Sequence, residues 1–217
     1  MIAAAQTEIS CVSIWYYDIG AYIDGTVEIP QDIGQVLSEQ EFARAHRHVF
    51  HRGRSAALLS RYLLRLLLAS ELNVRPNLIH LEPGEFGKPR LGGDQAGAIE
   101  FNVSHSGTII AICTSHHAVG IDIEYCTPVH DIDILCRHCL TPSEQLLVEN
   151  RIGLIQLRTF LEIWTKKEAI LKADGHGLSI SPQSISVIDS QRSEYGWLVQ
   201  NIPSPPGYIA AIARANQ

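Results

Sequence analysis

Two acidic residues, Asp122 and Glu124, lie two positions apart in the segment 120–124 (GIDIE). Because alternate residues of a β-strand point to the same face, we expect the two carboxylates to stand side by side, with Ile121 and Ile123 directed to the core. Adjacent carboxylates repel each other and tend to gain a proton or a cation. Their hard oxygens favour Mg²⁺ or Mn²⁺, above all beside a substrate phosphate. Taken alone, the pair is better explained as two solvated acids on an exposed strand face, since such pairs are common.

A third carboxylate, Glu168, lies in a helical segment with Trp164 and Lys172. Their spacing of i, i+4 and i+8 predicts that the three side chains share one helix face. Glu168 is therefore a candidate metal ligand or proton acceptor, and Lys172 is a candidate to neutralise a phosphate. The alternative is a surface ion pair, which stabilises a helix by only a few tenths of a kcal/mol, roughly.

A basic stretch lies between Phe42 and Ser70, where the chain has no Asp or Glu. It contains six arginines and three histidines: Arg44, Arg47, Arg52, Arg54, Arg61, Arg65, His46, His48 and His51. Guanidinium groups present paired donors to phosphate oxygens, so the stretch suits phosphate recognition. It equally suits docking of an acidic protein surface, or a solvated helix face for part of these arginines.

Two short motifs follow the basic stretch. The turn Gly87-Lys88-Pro89 places a cation where donors can converge on an anion. The segment 102–107 (NVSHSG) places Asn, Ser and His at the end of a strand. The chain has neither the Gly-x-Ser-x-Gly elbow of α/β-hydrolases nor the Gly-x-x-x-x-Gly-Lys-Ser/Thr loop of P-loop enzymes. Both of those classes are therefore disfavoured.

The cysteines do not indicate a metal or disulfide scaffold. Their number, five, is odd in a chain that is not small, which predicts free thiols in a reducing compartment. Cys136 and Cys139 form a Cys-x-x-Cys pair, but no further pair of ligands stands at zinc-site spacing. We therefore interpret this pair as structural.

The elements that must position these motifs follow the same order in each half of the chain: a strand, helices, then paired strands. We predict strands near 9–17, 78–81, 108–114, 119–124, 185–188, 196–200 and 208–213, and helices over 39–48, 54–72 and 158–173. Ser38 with Glu41, and Thr141 with Glu144, are capping-box starts of helices.

Composition sets the protein class. The chain has 217 residues, 46% hydrophobic and 18% charged, which predicts one large or two small globular domains. A net charge of -6 argues against a wholly basic nucleic-acid binder. Residues 1–10 contain no Lys or Arg, and the apolar run 56–72 is interrupted by charges. We therefore expect neither a secretory signal nor a membrane span, and a cytoplasmic protein.

In their order along the chain, these motifs resemble the 4′-phosphopantetheinyl transferase superfamily, in its Sfp-type branch of pseudodimeric single chains. The motifs are the Arg/His-rich helix start, Gly-Lys-Pro, Asn-Val-Ser-His-Ser, Gly-Ile-Asp-Ile-Glu and Trp-Thr-Lys-Lys-Glu-Ala-x-x-Lys. The resemblance implies an α/β (α+β) fold of two similar subdomains related by a pseudo-twofold axis, with the site in the cleft between them. We expect subdomains at 1–117 and 118–217, the second carrying the metal site.

The resemblance also implies a reaction. Coenzyme A donates its 4′-phosphopantetheine arm to a serine of an apo acyl- or peptidyl-carrier protein, and adenosine 3′,5′-bisphosphate is released. The implied metal is Mg²⁺, with Mn²⁺ as the alternative. Whether the carrier serves fatty-acid, polyketide or non-ribosomal peptide synthesis stays open. A pseudodimer has no need to pair, so we expect a monomer without nucleic-acid or membrane partners.

Residue roles carry over from the same resemblance. Asp122, Glu124 and Glu168 correspond to the metal ligands, and Glu168 also to the general base. Lys172 is expected near the pyrophosphate as a catalytic and donor-binding residue. Arg44 and His105 are expected at the 3′-phosphate of coenzyme A. The full set of remaining residues expected to bind coenzyme A is Arg44, Lys88, Pro89, Ser104, His105 and Asp122.

Two rival functions use the same residues. One is another Mg²⁺-dependent phosphohydrolase built on the three carboxylates, which would cleave coenzyme A with no carrier present. The other is a non-catalytic module that binds carrier proteins through the basic stretch. The coincidence of Asp122, Glu124, Glu168 and Lys172 argues against the binding module.

Overall fold

The computed structural model describes residues 3–9, 11–128, 131–175, 180–188 and 196–215. In these ranges the strands are β1 (Ala3–Ile9), β2 (Val12–Asp18), β3 (Leu81–Pro83), β4 (Pro89–Leu91), β5 (Glu100–Ser106), β6 (Ile109–Ser115), β7 (Val119–Tyr125), β8 (Trp197–Ile202) and β9 (Tyr208–Ala215). The helices are α1 (Gly20–Ile23), α2 (Ile33–Val36), α3 (Glu39–Ala45), α4 (His51–Leu72), α5 (Ile132–Cys139), α6 (Pro142–Glu149) and α7 (Gly153–Asp174). None of the described helices combines the length and the apolar character that crossing a bilayer requires.

The same strand order occurs twice. The first half forms an antiparallel sheet in the order β1-β2-β6-β5, and the second half forms one in the order β7-β9-β8. In β2-β6-β5 and in β7-β9-β8, a first strand is followed by helices and then by an antiparallel strand pair that brings the last strand to the centre. The predicted mixed α/β fold of two similar subdomains is thereby confirmed.

Each long helix is held by the short helix before it. The predicted capping boxes are present at Ser38 in α3 and at Thr141 in α6. The N3 glutamate of each box also binds the long helix: Glu41 accepts from Arg65 at 3.0 Å and Glu144 from Lys167 at 2.5 Å. Helix α7 packs on β7 and β9, and α4 packs in the separate apolar core of the first half.

Several predicted elements were wrong or displaced. The single strand expected over 9–17 is a hairpin of β1 and β2, turning at Cys11 with a φ of 64°. Residues 3–5, all alanine, carry no β-branched signal, so β1 was missed. The long helices begin at 51 and 153 rather than at 54 and 158, because their exposed first turns do not follow the apolar period.

The strand predicted over 185–188 was also wrong. These residues follow a 3₁₀ turn over Pro182–Ser184 and belong to no strand. Ile185 and Val187 are nonetheless buried, and the Val187 N–H donates to Glu144 at 3.0 Å. The alternation of apolar residues at 185 and 187 therefore indicates packing against helices and not pairing in a sheet. Near the strand predicted over 78–81, a 3₁₀ turn ends at Leu78 and β3 begins at Leu81.

The two halves meet where β5 lies beside β7. The strands belong to separate sheets and run in the same direction, bridged by polar side chains of β5. The Asn102 side chain accepts from the Ile121 N–H at 3.0 Å, and Ser106 donates to Glu124 at 2.9 Å. Apolar residues of both sheets, including Ile14 and Ile121, form one continuous cluster behind this joint. The joint therefore combines a sealed core with a polar edge.

Candidate active site

The acidic strand β7 and helix α7 approach each other unusually closely at Gly120. A Cβ atom at this position would lie 2.1 Å from the Ala169 carbonyl oxygen and 2.4 Å from the Ala173 nitrogen. Real Cβ atoms essentially never come so near to backbone atoms, so only glycine permits this contact. The close contact brings the Glu168–Lys172 face of α7 against the Asp122–Glu124 edge of β7.

Asp122 is the centre of the cluster and is only 3% exposed. Its Oδ1 accepts from Lys172 Nζ at 2.6 Å and from Ser104 Oγ at 2.9 Å. Lys172 Nζ also donates to Ser104 Oγ at 2.8 Å. Burial is the main cause that raises the pKa of Asp122, against the opposing charge of Lys172. Residues from β5, β7 and α7 therefore meet at one carboxylate.

Glu124 and Glu168 flank this centre and are both partly exposed. Burial raises the pKa of Glu124 and the negative charge of Asp122 raises it further, whereas hydrogen bonds from Ser106 and Trp164 oppose the rise. Burial also raises the pKa of Glu168, followed by the charge of Asp122, with a smaller contribution from Glu124. The three carboxylates predicted from the sequence are thus brought close enough to repel one another.

The three carboxylates are the candidate donors for a hard divalent cation. Asp122 Oδ2 is buried and has no hydrogen-bond partner within the described chain, and two further carboxylates lie near it. Such an oxygen is costly to bury unless a donor or a cation reaches it. Among the described residues, no three His, Cys, Asp or Glu side chains form a ready metal-binding cluster. Lys172 engages Asp122, and Ser106 engages Glu124, so the acids are neighbours rather than a finished coordination sphere.

A group of cationic side chains borders the acids. His105 is exposed on β5, directly after Ser104. Partial burial lowers the pKa of its imidazole, and the nearby charges of Lys172 and His48 lower it further. His105 therefore has both Lys172 and His48 among its neighbours, which suits the binding of an anion.

Arg44 and the Gly-Lys-Pro turn lie together, but Lys88 points elsewhere. Arg44, Gly87 and Pro89 line one cleft, in which Lys88 takes no part. Lys88 Nζ instead donates to the Val119 carbonyl at 3.0 Å and to the Ala173 carbonyl at 3.2 Å. Burial lowers its pKa. In this structure Lys88 ties the first half to β7 and to the end of α7.

Part of the basic stretch is structural. Arg65 is buried and donates to Glu41 and to the carbonyls of Pro76 and Ile79 at 3.0 Å and 2.8 Å. Arg61 also reaches Glu41, at 3.5 Å. The acidic partner lies one residue outside the acid-free segment, so the sequence window alone did not show it.

Three residues of the site were not assigned from the sequence: Asn102, Ser106 and Gly120. The signal was present in the alternation of Asn102, Ser104 and Ser106, since a strand places these three side chains on one face. They hold β7 by hydrogen bonds to Ile121, Asp122, Glu124 and Tyr125. Gly120 inside a strand was the signal for a close backbone approach.

The cysteines form no disulfide bonds. All five are free thiols. Cys136 is buried in α5, and burial raises the pKa of its thiol to about 11. Cys139 ends the same helix, and burial raises its pKa as well. Raised thiol pKa values favour the inert protonated form, in keeping with a structural role.

Two similar α/β halves meet at a joint that carries the acidic cluster. The family model "4′-phosphopantetheinyl transferase superfamily" matches residues 118–210, and "4′-phosphopantetheinyl transferase, N-terminal" matches residues 30–117. The chain is 35% identical over 193 residues to the 4′-phosphopantetheinyl transferase HetI of Nostoc sp., an alignment covering 85% of this chain and 81% of the relative.

Two further relatives carry the same name. The chain is 32% identical to the 4′-phosphopantetheinyl transferase gsp of Aneurinibacillus migulanus, over 73% of this chain and 64% of the relative. It is 29% identical to the 4′-phosphopantetheinyl transferase Sfp of Bacillus subtilis, over 79% of this chain and 77% of the relative. The chain belongs to the 4′-phosphopantetheinyl transferase superfamily and is an enzyme of that class.

Proposed function

We propose that this enzyme transfers the 4′-phosphopantetheine moiety of coenzyme A to a serine of an apo acyl- or peptidyl-carrier protein. Adenosine 3′,5′-bisphosphate is the second product, and Mg²⁺, or Mn²⁺ in its place, is the required metal. The observation that carries the proposal is Asp122, which is buried beside Glu124, Glu168 and Lys172 and has one oxygen without a hydrogen-bond partner among the described residues.

The three carboxylates are the proposed metal ligands. Asp122, Glu124 and Glu168 would hold the ion, since their oxygens are hard and their mutual repulsion calls for positive charge. A bound divalent ion screens the charge of the pyrophosphate and stabilises the leaving group. Ser104 and Ser106 keep the two β7 carboxylates oriented by hydrogen bonds at 2.9 Å.

Glu168 is the proposed general base. A carrier serine is a weak nucleophile until its proton is removed, and a carboxylate of raised pKa is a better acceptor for that proton. The serine oxygen then bonds to the phosphorus that bears pantetheine. The P–O bond to the bridging oxygen breaks, and its electron pair leaves with adenosine 3′,5′-bisphosphate. Lys172, whose Nζ donates to Asp122 and Ser104, would offset the charge of the reacting phosphate.

The first half supplies the proposed donor contacts. His105 and Arg44 are the candidates for the 3′-phosphate, Ser104 lies at the acidic centre, and Pro89 shares the cleft of Arg44. Lys88 would reach the nucleotide only by leaving its two carbonyl partners. We also place the boundary between the subdomains at residues 117 and 118, at the start of β7.

The decisive experiment incubates the enzyme with coenzyme A, Mg²⁺ and a panel of apo-carriers, and measures the intact mass of each carrier. We expect the mass of one phosphopantetheine to be added, and the addition to stop when EDTA removes the metal. Asp122→Ala should abolish transfer and keep the fold, whereas the exposed Asp94→Ala should transfer normally.

The rival functions give different products in the same assay. A phosphohydrolase would consume coenzyme A without a carrier, and a binding module would retain the carrier without changing its mass. Near-normal transfer by Asp122→Ala would contradict the proposed metal site.

A further inference from the structure

Two large apolar side chains are fully presented to water at the start of α4. Val49 is 83% exposed and Phe50 is 80% exposed, and Phe50 is the N-cap residue of the helix. Single exposed apolar residues are ordinary, but two adjacent ones at the start of a helix form a ready contact for a partner. We call residues 46–52 the basic tip, because the residues around this apolar pair are histidines and arginines.

Within the part of the chain that the structure describes, Arg47 and Arg52 of the basic tip form no ion pair. His46, Arg47, His48, His51 and Arg52 are all exposed, and no Asp or Glu occurs between positions 42 and 70. The acid just before this segment is Glu41, which is engaged with Arg61 and Arg65. The chain as a whole carries a net charge of -6. An acidic protein is thus repelled by the molecule in general and attracted to this tip.

The basic tip also lies near the residues proposed to bind the donor. The His48 imidazole lies beside Gly53: a Cβ atom built on this glycine would be 3.2 Å from His48 Nδ1. The His48 carbonyl oxygen accepts a hydrogen bond from the Arg54 side chain at 3.4 Å. These contacts fix His48 on the first turn of α4. The tip follows directly after α3, whose Arg44 lines a cleft with Gly87 and Pro89, and His48 is one of the neighbours that lower the pKa of His105.

We propose that the basic tip is the docking surface for the acceptor: an acidic carrier domain places an apolar side chain against Val49 and Phe50, and its carboxylates meet Arg47 and Arg52. The inference rests on the proposed function, since it concerns the protein that must bring its serine to Glu168. Net charge and position together favour this occupant over a lipid surface, because a membrane has no serine to deliver to the site.

The test separates the two substrates kinetically. Val49→Ser/Phe50→Ser should raise KM for the apo-carrier about tenfold, with kcat and KM for coenzyme A unchanged. The matched control is Ile152→Ser/Leu154→Ser, which removes two side chains that are 86% and 75% exposed. Leu154 lies about 21 Å along α7 from Glu168, by helical rise. We expect this control to leave both KM values unchanged.

A second pair of variants tests the charge. Arg47→Glu/Arg52→Glu should raise KM for the carrier at least tenfold at low salt, and added salt should narrow the difference from wild type. Thermal melting of every variant checks that the fold is retained, since all four tip side chains are exposed.

Several outcomes would overturn the proposal. A rise in KM for coenzyme A alone would place the tip in the donor subsite, and equal effects of the tip and control variants would show that general surface polarity matters instead. Tip-dependent binding to phosphatidylglycerol vesicles with an unchanged carrier KM would assign the tip to a membrane. Failure of the wild-type enzyme to modify any carrier would refute the proposed function itself, a result distinct from all of these.

Discussion

The two long helices of this enzyme occupy equivalent positions in the two halves but have different roles. Helix α4 covers residues 51–72 and α7 covers residues 153–174, so both ends are displaced by the same 102 positions. Arg65 and Lys167, which are also 102 positions apart, bind the capping-box glutamates Glu41 and Glu144 of the preceding helices. Each half therefore has an ion pair to the preceding short helix at the same position of its long helix.

The difference lies on the face that α7 turns towards β7. The helices differ at three equivalent positions. Helix α7 has Trp164, Glu168 and Lys172 where α4 has Tyr62, Leu66 and Ser70. Tyr62 donates to Asp32 at 2.9 Å, and Leu66 packs against the core of the first half. The first half therefore uses this helix for stability, and only the second half lines a site with it. A symmetric frame does not require symmetric chemistry.

The largest expected difference between the halves concerns the buried ion pairs. Lys167→Met should lower the free energy of unfolding by about 4 kcal/mol, because it leaves Glu144 charged where both side chains are 0% exposed. Arg65→Met should cost only about 2 kcal/mol, because Arg61 remains 3.5 Å from Glu41. Urea denaturation measures both free energies of unfolding, and equal losses would show that the two ion pairs contribute equally to stability.

A second contrast tests the close contact of β7 with α7. Gly120→Ala should destabilise the protein by about 3 kcal/mol, because the new methyl group meets backbone atoms that cannot move aside. Gly34→Ala in α2 is the control, since no atom lies within 4 Å of its Cβ position. If the two variants melted at the same temperature, α7 would have to sit farther from β7 than it does here.

The third contrast addresses the site directly. Glu168→Gln should lower kcat about 100-fold through loss of the proton acceptor. Its counterpart Leu66→Gln should leave kcat unchanged, since this position of α4 lies in the other half. Single-turnover transfer to an apo-carrier measures the effect, and an unimpaired Glu168→Gln would remove this residue from the role of base.

The smallest effect concerns donor recognition by the first half. Arg44→Ala and His105→Ala should each lose about tenfold of the preference for coenzyme A over its 3′-dephospho form, the amount expected for one lost charge-assisted contact. Arg90→Ala is the control, because its side chain is 65% exposed and pairs with Glu82. An unaltered preference in both test variants would leave the 3′-phosphate without a contact from this half.

Local features of the fold were predictable because their causes are local. The capping boxes at Ser38 and Thr141 need only a side chain and the next turn of the helix, and both were confirmed. The strand over 119–124 and the shared face of Glu168 and Lys172 follow from periods of 2 and 3.6 residues. Strand β1 was missed because its alanines carry no β-branched signal, and the segment 185–188 was misjudged because its burial depends on helices distant in the chain.

The sequence by itself determined which side chains share a face on each element: Asp122 with Glu124, and Glu168 with Lys172. Only the tertiary structure decided which faces meet. Gly120 allows α7 to touch β7, β5 lies beside β7, and Lys172 thereby reaches Asp122 at 2.6 Å. The tertiary structure also decided that Lys88 donates to the main-chain carbonyls of Val119 and Ala173. The physical reason is that periodicity is a property of one element, whereas contact depends on how closely two backbones can pack.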